Sequence, residues 1–460
     1  MRNDFRNCWV NAMNKSIICV SVLLALVGSV NAVAECQTIS ATTLSMDDAI
    51  QIAIAANPQV LSAKAQYQAA LHQIMQAYTP NDPQLSYGVS NSPSNLDNWT
   101  GAPSAYSGGH TFPAAGFLGL TNPAVKTWGV SESFQFPGKA WLQGDQAHRN
   151  AEIAKLTYEA AVRDARALAE TGYYQTLLDS ASVEIAAENT ASIGQVLEVA
   201  RVAYTANQVT ESDLISAQFS MSQASQTVWA DQVAEANDEV TLNQVMGRRP
   251  RTPLQLTSSM DLEPFTLSLD TATTKALVLR QELLEAMLTE KNNKTALTLA
   301  WMELLPDFNF SYSRNWYYTA ETAPHTGIVR DNSASIGINV PIFFWFHQKE
   351  DIRSASAFLE SARQNRNLVE LQTEGSVAQL YSSTDLAYQT ALLYKNFLVP
   401  LAEKNLHVGL IAYQSKGIDF TTLASILQNL YSARVTYLTS LNQYLAGKVG
   451  LEQLMGGPLK

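Results

Sequence analysis

Histidine, cysteine and carboxylate groups are the side chains best able to bind metals or move protons, and in this 460-residue chain they do not converge. The six histidines, His72, His110, His148, His325, His347 and His407, are scattered. None belongs to an H-E-x-x-H pair and none has cysteine partners at ligand spacing, so the pattern speaks against a metal site. An enzyme needs an acid, a base or a nucleophile gathered at one place. The chain shows no such set and is read as a non-enzyme without a cofactor. His347, followed by Lys349, Glu350 and Asp351, reads as a solvated helix start. Arg248, Arg249 and Arg251 follow the end of a helix, where cations suit the helix dipole. They also open the linker 247–266, so a contact with neighbouring elements is the alternative.

The apolar run IICVSVLLALVG follows Lys15 and leads to Ala32-Val33-Ala34, a small-x-small cleavage pattern. Residues 1–34 therefore read as an export signal, with Met13 a more ordinary start than Met1 and the mature chain beginning near Glu35. A transmembrane helix is the alternative, but the run falls short of about 20 apolar residues. Removing Arg2, Arg6, Lys15 and Asp4 with the signal leaves 27 basic against 40 acidic residues, a net charge of −13. So acidic a chain is a poor partner for nucleic acid. Cys36 is then the only cysteine, which excludes an internal disulfide. Lipid attachment at Cys36 is an alternative role, against which Glu35 occupies a position that a lipoprotein signal gives to a small residue.

The chain states itself twice. AYTANQVTESDL at 203–214 returns as AYQSKGIDFTTL 209 positions later. Leu44-Ser45-Met46-Asp47 matches Leu267-Ser268-Leu269-Asp270, and Pro83–Tyr87 matches Pro306–Phe310, at an offset of 223. Val130–Phe136 matches Ile336–Ile342 at 206, and Leu242, Gln244, Met246 and Gly247 match Leu451, Gln453, Met455 and Gly456 at 209. Offsets that change only between elements are those of a duplicated fold. The repeats are placed at 35–246 and 267–460, joined by 247–266.

Each repeat carries a long proline-poor helical stretch, about 139–207 and about 346–416, each roughly 100 Å long at 1.5 Å per residue. Shorter helical stretches, 46–80 with 210–246 and 270–304 with 419–455, sum to the same length, so each repeat can form a rod of double width. Along the first long helix run two stripes. One holds Ala147, Ala151, Ala154, Tyr158, Ala161, Ala165, Leu168 and Gly172; the other holds Ile153, Leu156, Ala160, Ala167, Tyr174, Leu177 and Ala181, interrupted by Arg163 and Glu170. Two seams predict neighbours on both sides, a wall element, with ordinary helical core as the alternative. The repeated twelve residues then read as hairpin tips, about 207–213 and 416–422, with Thr210 and Asp419 as N-caps and Gly417 as a helix stop.

Strand patterns occur at about 84–90, 127–136, 307–318 and 333–343. Leu85, Tyr87, Trp128, Val130, Phe308, Phe310, Tyr312, Ile336 and Ile338 alternate with serine, glycine and asparagine. That is the pattern of a barrel with lipid outside and water inside, although Glu132 and Arg314 fall on the apolar side. No segment downstream of the signal is apolar enough for a membrane helix, so entry into a membrane must be by a closed barrel. Four strands cannot close, and open edges demand sister copies. Two copies give eight strands and a filled interior; three give twelve and a channel. Segments 91–126 and 319–332 read as surface loops.

The order helix, strand, strand, long helix, tip, helix, stated twice, resembles the TolC family of bacterial outer-membrane channels over nearly the whole mature chain. The residues that carry the likeness are the tips Ala203–Gln218 and Ala412–Leu427, the corners Phe134–Lys139 and Val340–Phe343, and the closing Asn243-Gln244-Val245-Met246-Gly247. The resemblance implies a mixed α and β membrane protein. It would be a homotrimer with a twelve-stranded barrel in outer-membrane lipid, continued by a periplasmic helical tunnel. It further implies that the tips, here Thr210, Ser212, Asp213, Gly417, Asp419 and Thr421, dock a periplasmic adaptor (membrane fusion protein) and an inner-membrane pump. Pro137, Gly138 and Pro341 mark the strand-to-helix corners. Phe136-Pro137-Gly138-Lys139 looks more like the branch serving heavy-metal resistance-nodulation-division pumps. The chain departs from the family in lacking acids beside its second tip, where Thr422 stands in the place of Asp213. Type I protein secretion, or an exported coiled-coil structural or adhesive protein, are the alternatives.

Overall fold

A computed structural model describes residues 43–79, 81–90, 125–206, 209–257, 260–319, 327–343, 345–415 and 417–457. The export signal and Cys36 lie outside the described residues, as does most of the loop expected at 91–126. The chain divides into a unit Met1–Thr43, of which only Thr43 is described, and the unit Leu44–Lys460, whose fold follows.

In the first repeat the elements are α1 (Met46–Ala56), α2 (Pro58–Tyr78), β1 (Gln84–Ser90), β2 (Val125–Phe134), α3 (Lys139–Thr205) and α4 (Glu211–Val245). The second holds α5 (Leu269–Leu279), α6 (Gln281–Met302), β3 (Asp307–Thr319), β4 (Gly327–Asn339), α7 (Gln348–Leu393), a π turn (Tyr394–Leu398), α8 (Val399–Gln414) and α9 (Phe420–Leu454). Element lengths repeat closely. The 67 residues of α3 equal the 46, 5 and 16 of α7, the π turn and α8, and α4 and α9 have 35 each. The π turn precedes Pro400, which cannot donate into a regular α ladder.

The stretches 46–80 and 270–304 are not single helices. Each breaks after 11 residues, at Asn57 (φ −63°, ψ 124°) and at Arg280 (φ −64°, ψ 123°). Pro58 explains the first break, because a residue before proline is pushed out of the helical region. Arg280 has no proline after it; its guanidinium donates to Thr373 Oγ1 of α7 at 3.0 Å and to the neighbouring Glu282 at 3.1 Å, and Gly456 packs against the backbone of Leu279 and Arg280.

These breaks are where half-height helices meet end to end. Asn57 Nδ2 donates to the Val245 carbonyl at 2.9 Å, and Gln281 Nε2 to the Gly456 carbonyl at 3.3 Å. Gly247 (φ +66°) and Gly456 (φ +78°) end α4 and α9 in the left-handed region. A Cβ there would lie 2.4 Å from the Ala56 carbonyl oxygen or 2.6 Å from that of Leu279, so glycine is required twice over, by φ and by space.

Packing gives a helical wall ordered α2, α3, α6, α7 towards the sheet and α4, α3, α9, α7 with α8 towards the tips. α3 thus has neighbours on both sides, with Ala151, Ala165, Ala167 and Ala169 buried. Leu168, placed on a seam by spacing, is 48% exposed. Where the wall passes from one set of helices to the other lie two related cores. Ala49, Ala53, Leu242 and Met246 form one with Tyr173; Ala272, Ala276, Leu451 and Met455 form the other. Tyr173 donates to the Leu44 carbonyl and Tyr381 to that of Leu267, closing each core alike. Among the described residues no helix is long and apolar enough to cross a membrane.

Candidate channel wall, corners and hairpin tips

The four strands form one antiparallel sheet in the order β1-β2-β3-β4. The register places Tyr87 opposite Trp128, Val130 opposite Tyr312, Phe134 opposite Phe308, and Phe308 opposite Ile338. One face is therefore aromatic and aliphatic, and it is exposed: Leu85 is 70% and Ile336 79% accessible. The opposite face is small and polar. Ser311 and Ser335 share a hydroxyl hydrogen bond of 2.7 Å, Ser313 and Ser333 another of 2.7 Å, and Thr127 donates to Asn315 at 2.8 Å. A side chain at Gly129 would collide with Ser86 Oγ, so this face stays thin.

Arg314 sits on the apolar face, its guanidinium 5.2 Å from the ring centre of Trp316, a cation–π contact that lowers the cost of its position. Glu132 shares that face opposite Phe310. β4 starts at Gly327, so part of the stretch expected as a loop at 319–332 is strand, because the ladder to β3 continues past the apolar alternation. β4 stops at Asn339, short of the expected 343, since Pro341 has no N–H to extend the ladder.

At the first corner Gly138 (φ +104°) turns the chain from β2 into α3. Lys139 is 1% exposed, and its Nζ donates to Asp307 at 2.9 Å and Glu303 at 3.3 Å. Asp307 also accepts the Phe136 N–H at 2.8 Å, so one carboxylate fastens the corner to the start of β3. The motif residue Lys139 thus has a full structural role. Pro137 is exposed beside it, whereas Pro341, half-buried, lies in a longer corner whose apolar side chains are exposed.

At the other end of the wall the two tips meet. Ile193, Val196 and Ala200 of α3, Ala217 and Ala224 of α4, and Phe420, Leu423 and Leu427 of α9 share one core. α4 begins with a reciprocal cap: Asp213 N–H donates to Thr210 Oγ1 at 3.3 Å and Thr210 N–H to Asp213 Oδ2 at 3.0 Å. In the second tip the pair is reversed in order. Asp419 is the N-cap, accepting the Thr422 N–H at 2.9 Å, and Gly417 N–H donates to the Ala412 carbonyl at 2.7 Å. The hydrogen bonds from Thr422 hold the Asp419 carboxyl below its usual range. Thr210, Asp213, Gly417 and Asp419 line one groove with Tyr413; Ser212 and Thr421 are exposed but outside its lining.

Sequence reasoning passed over several groups because nothing local marks them. The Tyr413 hydroxyl is buried without a partner, and burial, then Asp213, pushes its pKa up. Arg434 of α9 donates to Glu188 of α3 at 2.8 Å and Glu403 of α8 at 2.9 Å. Arg163, an interruption of a stripe in the sequence, reaches across the repeats to Gln281 and Glu282, at 2.6 Å each. Burial alone would raise the Glu282 pKa, but Arg163 overrides it and holds the carboxyl at about 2. Among the described residues no cluster of histidine, cysteine and carboxylate groups could hold a metal ion.

A sheet with an apolar exposed face and a thin polar face, set on a wall of helices about 100 Å long, has the form of a pore segment. The family model for the outer membrane efflux protein matches residues 49–248 and 272–457, one match to each repeat. The chain belongs to the outer membrane efflux protein family. Solved structures agree in fold. The Campylobacter jejuni CmeC outer-membrane channel is 14% identical, with 90% of this chain and 86% of that one covered and a TM-score of 0.70. CusC is 15% identical, with 90% and 92% covered and a TM-score of 0.72. The outer membrane protein VceC of Vibrio cholerae is 15% identical, with 90% and 97% covered and a TM-score of 0.69. A search of curated proteins gave no match. As a TolC-like efflux protein the chain is an outer-membrane channel with a periplasmic helical tunnel, a passive conduit and not an enzyme.

Proposed function

We propose that three copies of this efflux protein close head to tail into one duct, a twelve-stranded barrel above a twelve-helix-wide tunnel. The duct docks a periplasmic adaptor and an inner-membrane resistance-nodulation-division pump through its tips. The observation that carries this reading is the four-stranded sheet whose outer strands, β1 and β4, each keep one edge unpaired within the described residues. In lipid such edges must find partners. Eight strands would leave an interior filled by side chains, whereas twelve leave a lumen. The helical wall supports the same closure. Its flanks carry exposed apolar stripes, Leu61, Leu71, Met75, Phe219, Trp229 and Val233 on α2 and α4, and Phe358, Leu371, Leu386, Phe397, Leu401 and Val408 on α7, the π turn and α8. Two different surfaces of one chain that need each other generate a ring.

In this reading the energy comes from the inner-membrane partner and the duct itself is passive. The adaptor reads Thr210, Ser212, Asp213, Gly417, Asp419 and Thr421, which end the two rods. Heavy-metal cations are the cargo class favoured by the corner motif Phe136-Pro137-Gly138-Lys139, and the test must separate them from drugs and secreted proteins. Detergent extraction from outer membranes should yield a particle of three chains; a monomer or dimer would sink the reading. Deleting the gene should raise sensitivity to metal cations. Loss of protein export instead would point to type I secretion. Bulky charged replacements at the tip residues should abolish efflux while the assembled particle persists.

A further inference from the structure

The basic run Arg248, Arg249 and Arg251, just past the end of α4, is absorbed by neither the wall nor the tips. Each arginine on α3, α7 and α9 has a carboxylate partner. The guanidinium groups of these three make no hydrogen bond or ion pair with the described residues. Their loop is nonetheless held firmly. The buried Asn243 donates from Nδ2 to the Thr252 carbonyl at 2.8 Å and the Pro250 carbonyl at 3.3 Å, and Arg248 N–H donates to the Asn243 carbonyl at 2.8 Å. A fixed loop that presents unpaired cations from a chain of net charge −11 fits an anionic surface.

Duplication says which surface. The seam between repeats, where α6 and α9 pack on α3, is a template for a seam between copies, where α2 and α4 of one copy meet α7 and α8 of the next. Equivalent positions are fixed by contacts. Tyr173 and Tyr381, which close the two cores, lie 208 positions apart, as do the buried pairs Ala151 and Leu359, Ala169 and Val377, and Thr176 and Thr384. That step, with 223 from α2 to α6, carries the Tyr67–Tyr158 ring stack onto the Glu290–Arg366 ion pair of 3.0 Å. Gly247 and Gly456 set the step from α4 to α9 at 209. In the seam between repeats, Gly457 shares a groove with Val162 and Arg166 of α3. The counterpart of Gly457 is Arg248, and those of Val162 and Arg166 are Glu370 and Glu374 of α7. Neither carboxylate has a hydrogen bond or ion pair with the described residues. The ion pairs of the template are lost in turn: Leu371 stands for Arg163, which pairs with Glu282 at 2.6 Å, and Ser225 for Arg434, which pairs with Glu188 at 2.8 Å. Opposite charges therefore replace neutral and like-charged groups on the two faces that a second copy would bring together.

We propose that Arg248, with Arg249 beside it, pairs with the partner's Glu370 and the partner's Glu374 at mid-height of the wall, an ionic lock that sets the register in which one copy meets the next. The lock rests on the closure of three copies and names the charged groups that align them. Complementary charge selects one alignment, because a slip along either rod leaves all four groups unpaired.

The test uses the full chain with Cys36→Ser. Chains carrying Arg248→Cys are co-expressed with chains carrying Glu374→Cys, extracted in detergent and treated with a short bismaleimide linker. A two-chain product should form, and it should be absent when either variant is expressed alone. Native mass spectrometry of the Cys36→Ser protein counts the chains in the particle. Three chains without the linked product would overturn the lock and leave closure standing; fewer chains would overturn closure, and the lock with it. Charge exchange gives a second readout. Arg248→Glu with Arg249→Glu should lower the temperature at which the particle separates by several degrees, as should Glu370→Lys with Glu374→Lys, and all four together should recover at least half of that loss. Should either exchange prevent assembly, its recovery in the combined variant carries the same question. An unchanged separation temperature, or no recovery, would mean that the arginines meet some other anion or none, and would refute the pairing.

Discussion

Asp179 offers the sharpest test of the helical wall. It lies on α3 with 9% of its surface exposed, and its Oδ2 has no hydrogen-bond partner. Gln175 Nε2 donates to Oδ1 at 3.3 Å and is itself braced by Asn442 of α9, which donates to Gln175 Oε1 at 2.8 Å. From α4 the group faces two further acids, Asp238 and Glu235. Burial first, and then the Asp238 carboxyl, pushes the Asp179 pKa from 3.8 up to about 7, so the pair shares a proton in acid and repels at neutral pH. The folded state holds this proton more tightly than the unfolded chain. The contribution to stability is therefore fully present below about 3.8 and is lost as the pH rises to about 7.

At about 1.4 kcal/mol per tenfold change in proton affinity, the ceiling is about 4 kcal/mol. Relaxation of the pair leaves roughly 1–3 kcal/mol to be recovered by Asp179→Asn at pH 8. In detergent, circular dichroism melts at a fixed scan rate should show the wild-type transition falling between pH 4 and pH 7 more steeply than that of Asp179→Asn. At pH 8 the variant should melt a few degrees higher. A variant that melts lower at pH 8, or that keeps the wild-type slope, would refute the shared proton.

Lys139→Ala should cost about 2–4 kcal/mol, because it strands Asp307 and Glu303 beside an emptied site; Lys139→Met, which keeps the stem, should lose less, and equal melting of all three proteins would remove the corner triad from the account. Gly456→Ala should cost about 2–3 kcal/mol, since φ +78° and the Leu279 carbonyl both oppose a Cβ, and it should be read as protease sensitivity at the α5–α6 joint. Thr210→Ala should remove about 1 kcal/mol of capping from α4. Amide exchange should quicken at Glu211–Asp213 while the Asp419 cap on α9 stays protected, and uniform quickening of both tips would contradict separate caps.

What was legible in the sequence followed from local rules that repeat. Period two in the strands, small residues along α3, and caps such as Thr210 and Asp419 depend on near neighbours, and duplication stated each of them twice. The breaks inside 46–80 and 270–304 show the limit. Pro58 announces one, but Arg280 announces nothing, and the groups that meet it there, Thr373 of α7 and Gly456 after α9, come from far along the chain. Asp179, Arg434 and Tyr413 were equally silent, since a charge acquires meaning only from what distant helices bring against it.

The sequence by itself determined that the chain is a doubled rod with a short amphipathic sheet, because periodicity and capping are written in consecutive residues. Only the tertiary structure decided that half-height helices meet end to end at Gly247 and Gly456, that Lys139 is a buried fastener, and that the second corner displays its aromatic side chains. Those outcomes depend on which elements lie side by side, and that order is settled by packing over distances along the chain that local spacing does not encode.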